Sequence, residues 1–371
     1  MAEETPLVDA KLPFDGSVQA GIMNPQSASM ALLGFNLEEG VGADQLRTLM
    51  QTWTVLARHL TQGERIEDME EYEMAEVPAS LTITVGWGER IFTVLGAEDL
   101  IPEGLHDVPA FSLDHLNPAW GQTDLVLQIS SDDPVTTSTA VRVMVRSALG
   151  VAKLFWRQNG YGHAFGAVPA GTTPRNPLGQ IDGTVNPSTP EEWSEQVFID
   201  SDEAWLKNSS IMVVRRIIMN LDAWEKLAVA QRSRVIGRDY HTGGPLSGGG
   251  EFDDEDMDAK DENGEYLIDR HSHLALAREQ DGQPSDALRR RAYAFDDNFV
   301  DNPMLTSNSG LVWISFQKNP DKQFTPIQKR LDEADLLNDF VAHIGSGVFW
   351  ILPGTTPTSY WGEALFEKLE A

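Results

Sequence analysis

One order of hydrophobic periods occurs twice in this chain, and it limits the possible folds more than any other feature. Met30 to Leu37 (MALLGFNL) is an apolar run of strand length, after which Leu46, Leu49, Met50, Trp53, Leu56 and Leu60 recur at helical spacing. Leu81, Ile83, Val85 and Trp87 alternate as on a half-buried strand, and Leu125 to Ser130 reads as another. The DDP that follows opens a capped helix over Val135 to Leu149, and Val151 to Trp156 returns as a strand.

The second half repeats the series. Ser210 to Leu221 reads as a strand, and Asp222 caps a helix that runs through Ile236. Arg290 to Phe295 and Leu311 to Phe316 read as strands, Thr325 to Ile344 as a helix, and Val348 to Leu352 as the closing strand. Strand, helix, strand, strand, helix, strand is the split βαβ plan. The expected class is therefore α+β, as two ferredoxin-like (βαββαβ) halves with antiparallel sheets. The division expected is 1–165 for the first half, 166–208 for a connecting segment and 209–371 for the second half. One insertion, Gly237 to Asp269, holds the acidic run EFDDEDMDAKDENGE. No register of it fits a calcium loop, so it reads as a solvated surface loop.

Composition removes several classes of function. With 57 acidic and 28 basic residues the formal charge is −29, a field that repels phosphate backbones and excludes nucleic acid as a partner. A cationic or neutral small molecule fits such a surface better. The absence of cysteine excludes disulfides, cysteine-bound zinc, iron–sulfur clusters and thiolate-ligated haem. No apolar run has the length of a membrane span, and the opening MAEETPLVDA lacks the basic and apolar regions of a signal peptide. The expectation is a protein that either stays inside the cell or has had its leader removed.

Three short stretches can carry chemistry. In DRHSHLALA, His271 and His273 lie two apart before an apolar segment, and on a strand both would face one way. In LGQIDGTVNP, Gly179 and Gly183 bracket Asp182, so the backbone can fold closely around a ligand while the carboxylate projects into it. In LRRRAYAFDD, three consecutive arginines cannot all leave a strand on its solvent face, so at least one points inward.

Taken together and in order, these stretches resemble the dye-decolourising peroxidases. The resemblance extends over nearly the whole chain, through VQAGIMNP, LGQIDGTVNP, VVRRIIMNLDAWEKL, VIGR, SHLALA, RRRAYAFDD, GLVWISFQ, IQKRL and FWILPG. It implies haem b, one per chain, held mainly by the second half. His273 matches the proximal iron ligand and Asp182 the distal aspartate. Aligning Tyr293 with the family tyrosine makes Arg290 the distal arginine, with Arg289 and Arg291 as alternatives. Leu311 and Trp313 match the apolar distal pair, although phenylalanine is commoner in the family where Trp313 stands. Asp339 matches the acidic residue that accepts the proximal imidazole proton.

The implied activity is reduction of hydrogen peroxide, with oxidation of dyes, phenols or other one-electron donors. Asp182 would shuttle the proton and Arg290 would supply positive charge. The alternative is a haem-handling, iron-release protein of the deferrochelatase kind that uses the same pocket. Implied partners are hydrogen peroxide and small reducing substrates; a homo-oligomer is compatible with this. The subgroup resembled includes exported bacterial members, so a periplasmic or extracellular location is preferred over the cytoplasm.

Overall fold

The computed structural model describes residues 6–65, 76–164, 166–169, 171–278, 287–297 and 308–371. The first half runs β1 (Ser29–Leu37), α1 (Ala43–Gln62), β2 (Thr82–Trp87), α2 (Arg90–Leu95), β3 (Leu125–Ser131), α3 (Pro134–Ser147) and β4 (Ala152–Tyr161). After α4 (Pro190–Gln196) the second half runs β5 (Ser210–Met219), α5 (Leu221–Trp224), α6 (Val229–Ile236), α7 (His273–Ala277), β6 (Arg289–Arg290), β7 (Tyr293–Asp297), β8 (Asn308–Gln317), α8 (Phe324–Ala334), β9 (Val341–Ile351) and α9 (Glu363–Glu370).

Local chemistry accounts for most of these elements. The helix read over Val135 to Leu149 is α3, whose N-terminus has Pro134 in its first turn and the Asp133 carboxylate accepting the Thr136 N–H at 2.8 Å. The spacing read over Leu46 to Leu60 is the buried stripe of α1, which ends where Gly63 takes left-handed backbone at φ 59°. The expected helix from Thr325 to Ile344 is shorter than its spacing. Asp335 has extended backbone (φ −67°, ψ 126°) and caps a 3-10 turn over Leu336–Asp339. The chain then enters β9 at Val341, where the expected strand began at Val348. The helix expected from Asp222 through Ile236 is likewise two short ones, α5 and α6.

The fold is mixed α and β, and its named strands pair antiparallel. Among the described residues there is, in place of two sheets, one of nine strands in the order β5-β9-β2-β3-β1-β4-β7-β8-β6, and an additional β5–β8 pairing closes it on itself. Pairing inside each half is long, as from Ser210↔Ile351 to Met219↔Val341 between β5 and β9. Pairing between the halves is brief: Gly86↔Ile351 and Trp87↔Trp350 at one seam, Tyr161↔Ala294 at the other.

Closure gives every strand an inner and an outer face. Met30, Leu32, Met212, Val214, Val312, Ile314 and Phe349 belong to one cluster filled from both halves. Residues alternating with them, such as Ala31, Leu33, Phe35, Ile211 and Val213, join a larger cluster with the buried faces of α1 and α3. Gly34 admits the Trp156 indole, whose Cε2 would lie 2.3 Å from any Cβ there. Among the described residues no helix is long and apolar enough to cross a membrane.

Trp350, on the seam between β2 and β9, is fully buried, with its ring centroid 5.6 Å from Trp87, 5.7 Å from Phe92 and 5.5 Å from Trp205. Replacing it with alanine leaves a cavity the closed sheet cannot collapse around. Trp350→Ala is expected to cost about 3–5 kcal/mol, read as a lower denaturant midpoint; a midpoint equal to wild type would refute this account of the seam.

Candidate functional site

The outer face of β5 changes character along its length. Ile211 and Val213 are packed, but Arg215, Ile217 and Met219 line a cavity of about 620 Å³. The register sets Arg215 opposite Trp313 and Ile217 opposite Leu311, so β8 supplies the adjoining wall from the same face. In the first half long helices fill this layer. In the second the cover is made by α6, α7, α8 and the 176–185 loop, and a hollow remains between them and the sheet.

His273 opens α7. Ser272 caps that helix, its Oγ accepting the Ala275 N–H at 3.3 Å, which fixes the imidazole at the cavity wall. Its Nδ1 donates to Asp335 Oδ2 at 2.6 Å, while the other Asp335 oxygen accepts the Leu337 N–H at 2.8 Å. In the neutral ring Nδ1 therefore carries the proton, and Nε2 is left with its lone pair. His273 is set deep in the protein, yet 35% of its side chain is accessible because it faces the cavity. Burial opposes the imidazolium, but the buried Asp335 carboxylate outweighs it and raises the imidazole above its ordinary 6.5. Asp182 raises it further and Arg290 lowers it, both at smaller weight.

The acidic partner of His273 is thus Asp335, correcting the sequence assignment to Asp339. Asp335 sits at the buried junction of α8 and the 3-10 turn, whereas Asp339 lies at the far end of that turn and is exposed. His271 is also exposed, in the turn before α7, and does not line the cavity.

Asp182 and Arg290 meet on the same cavity. Asp182 Oδ1 stands 3.5 Å from Arg290 Nη1, and each side chain keeps about a third of its surface open, 36% and 30%. The flanking glycines have the backbone the motif requires, φ 76° at Gly179 and φ 121° at Gly183. Of the three consecutive arginines, only Arg290 lines the cavity. Arg289 lies over the Trp193 ring and near the carbonyls of Ile22 and Asn24, while Arg291 donates to the carbonyls of Asn24 and Pro25. Burial, and then repulsion from Arg291, pull Arg289 down to about 10. Leu311 and Trp313 line this cavity and also a second one of about 340 Å³, which reaches Gln26, Tyr161 and His163 past the Asp182–Arg290 pair.

Other wall residues were not legible in the sequence. Arg215, 1% exposed, pairs with Asp114 and donates to His343 Nδ1 at 2.8 Å and Ser346 Oγ at 3.0 Å. Arg238, in the VIGR stretch, donates to the carbonyls of Gly243 and Glu251 at 2.9 Å. The acidic insertion is only partly a solvated loop: Glu251, Asp253, Asp254 and Glu255 line the cavity. Glu255 faces Arg278 at 3.1 Å and Arg238 at 3.9 Å. Alternation on β5 could have placed Arg215 on the face of Ile217 and Met219; nothing local could have supplied its partners.

His343 lies below its ordinary 6.5, chiefly through burial and then Arg215, with Asp114 and Asp332 acting the other way. Folding therefore favours the neutral ring. That stability is present above pH 6.5 and lost as pH falls through the lowered value. The Tm of the haem-free protein is expected to fall as pH drops below 6.5, and His343→Gln should flatten that fall. An identical pH profile in the variant would assign the fall to another group.

Comparison with known proteins places these features. Residues 19–162 match the family model described as Dyp-type peroxidase, N-terminal, and residues 173–356 the one described as Dyp-type peroxidase, C-terminal. The chain is similar to the dye-decolorizing peroxidase of Thermobifida fusca (strain YX), 34% identical over 94% of this chain and 84% of the relative. It is also similar to the deferrochelatase of Escherichia coli (strain K12), 30% identical over 96% of this chain and 87% of the relative. The crystal structure of a DyP-type peroxidase from Cellulomonas bogoriensis superposes with a TM-score of 0.93 at 38% identity, covering 99% of this chain and 100% of that one.

Proposed function

The chain belongs to the Dyp-type peroxidase family, an enzyme family of haem proteins, and on that premise we propose that it is a haem b peroxidase with His273 as iron ligand and Asp182 and Arg290 as its catalytic pair. The observation that carries this reading is one cavity with an open imidazole nitrogen and a carboxylate–guanidinium pair on its walls. The residues fit the cofactor. The cavity holds about 620 Å³ with apolar walls from Ile217, Leu274 and Leu311, and Arg238 and Arg290 line it as cations for propionate groups. Each half has the ferredoxin-like strand order, β4-β1-β3-β2 and β9-β5-β8-β7, which supports boundaries at 1–165, 166–208 and 209–371.

Haem, when bound, supplies an iron that takes up the two oxidising equivalents of hydrogen peroxide and returns them singly to donors. The chain's own residues prepare this. His273 Nε2 would hold the iron, and Asp335 Oδ2, 2.6 Å from Nδ1, accepts the Nδ1 proton and would give the ring imidazolate character. Asp182 takes a proton from one peroxide oxygen and delivers it to the other, which leaves as water. Arg290 holds positive charge beside the separating oxygens. Leu311 and Trp313 narrow this side and exclude water. The acidic wall of Glu251, Asp253 and Asp254 favours cationic or neutral donors over anionic ones. A location outside the cytoplasm remains the reading favoured by the exported relatives it resembles.

The deferrochelatase relative favours a second reading, in which the same pocket strips iron from haem. Steady turnover of peroxide and a dye, compared with iron release in the absence of peroxide, separates the two.

His273→Ala is expected to abolish the ligated-haem Soret spectrum after loading, and an unchanged spectrum would reject His273 as ligand. Asp335→Asn should weaken haem retention or activity by about 10–100-fold, with Asp339→Asn close to wild type; the reverse ranking would restore Asp339. Asp182→Asn and Arg290→Leu should each lower kcat/KM for hydrogen peroxide by about two to four powers of ten. Wild-type values in either variant would remove that residue from the catalytic pair.

A further inference from the structure

Asp182 and Arg290 carry opposite charges, yet they stand in a loose contact of 3.5 Å instead of the two short parallel bonds that a free carboxylate and guanidinium adopt at about 2.7–2.9 Å. Something holds them apart. The two asparagines flanking the GxxDG loop are placed to do so, and neither has a role in the mechanism above.

Asn176 reaches Asp182 from within the loop. Its Oδ1 accepts the backbone N–H of Leu178 at 3.0 Å and of Gln180 at 3.3 Å. Only an oxygen can take both, so the amide has one orientation, and Nδ2 must face the carboxylate. There it donates to Asp182 Oδ2 at 3.2 Å. Asp182 is thereby held by one oxygen to the loop, leaving the other to Arg290.

Asn186 performs the matching task on the arginine. Its Oδ1 accepts the Arg290 N–H at 2.9 Å and its Nδ2 donates to the Arg290 carbonyl at 3.1 Å. This is the pairing a neighbouring strand would offer, applied to β6 on the edge away from its Arg290↔Ser315 pairing with β8. The base of the loop is tied by Arg175, which donates to the carbonyls of Gly179 at 2.7 Å and His241 at 2.9 Å. Both reactive groups are therefore referred to one rigid loop.

We propose that Asn176 and Asn186 are positioning residues that keep Asp182 and Arg290 from collapsing into a bidentate ion pair, so that the carboxylate stays free to move a proton and the guanidinium free to face the peroxide. The proposal rests on the peroxidase reading above. Without the Asn176 donor, Asp182 closes onto Arg290 and each spends its reactive edge on the other.

Asn176→Asp is the decisive variant. It keeps the oxygen that accepts the Leu178 and Gln180 N–H groups, so the turn survives, but it replaces the donor facing Asp182 with a second carboxylate. The haem-loaded variant is expected to react with hydrogen peroxide about 10- to 100-fold more slowly, with an unchanged KM for the donor. In an Asp182→Asn background the same change should cause no further loss, because the effect passes through Asp182. A readout without haem comes from Tm. Asn176→Asp should become less stable, relative to wild type, as pH rises through the carboxylate range, and the exchange Asn176→Asp with Asp182→Asn should remove that dependence while leaving the peroxide reaction slow. Asn176→Ser, which keeps an oxygen acceptor without the amide donor, serves if the aspartate variant does not fold, and the same slowing is expected of it.

A peroxide rate within twofold of wild type in Asn176→Asp, or losses that add in the double variant, would overturn the proposal, provided Asp182→Asn alone is slow. If Asp182→Asn alone reacts normally, it is the place of Asp182 in the catalytic pair that has failed, and this proposal falls with it.

Discussion

The structure turns on β5. It hydrogen-bonds to β9 on one side and to β8 on the other, and the second pairing closes the sheet. Closure forces side chains of both halves to share one interior, in which Met30 and Leu32 pack in the same cluster as Val312, Ile314 and Phe349. It also commits alternate residues of every strand to an outer face that must be covered separately. Over the first half, α1 and α3 bring Leu46, Leu49, Trp53, Val141 and Met144 down onto that face and fill it. Over the second half, α7 has five residues and α6 eight, too little to fill the space above Arg215, Ile217, Leu311 and Trp313. The cavity is a layer of core left unpacked by its cover.

Charges in that layer are costly unless answered, because the surrounding atoms solvate an ion poorly. Each basic group named on the wall has a carboxylate from elsewhere in the fold: Arg290 has Asp182, Arg215 and His343 have Asp114, Arg238 and Arg278 have Glu255, and His273 has Asp335. Such pairs contribute little net stability once desolvation is counted. Their value is positional, since a dipole already aimed at the reacting atoms needs no reorganisation during the reaction. The His273–Asp335 bond fixes which imidazole nitrogen faces inward. The looser Asp182–Arg290 contact leaves two groups of opposite charge side by side without short parallel bonds between them.

Most of the element order could be read from hydrophobic periodicity, and the failures have local causes. The spacing of Thr325 to Ile344 remained compatible with a helix because Ile327, Leu331, Ala334 and Val341 fall at helical intervals, yet Val341 to Ile351 also suits a strand. Sequence spacing could not arbitrate, and the capping geometry of Asp335 did. The assignment of the imidazole's acidic partner to Asp339 failed for the same reason: it depends on where the helix stops, and Asp335, which makes the contact, lies four residues earlier.

The sequence alone determined the local motifs that hold the proposed site residues. SHLALA, the GxxDG loop and the arginine strand each contain a side chain that lines the cavity, and the twofold series of strands and helices announced an antiparallel α and β protein. Tertiary structure decided what depends on a neighbour distant along the chain: that the sheet closes, that Arg290 and not Arg289 or Arg291 faces the cavity, and that Arg215 meets Asp114 and His343, 101 and 128 residues away. Periodicity states which side chains share a face of a strand. It does not state which face will be packed and which left hollow, because that is fixed by the length and placement of the elements that cover it.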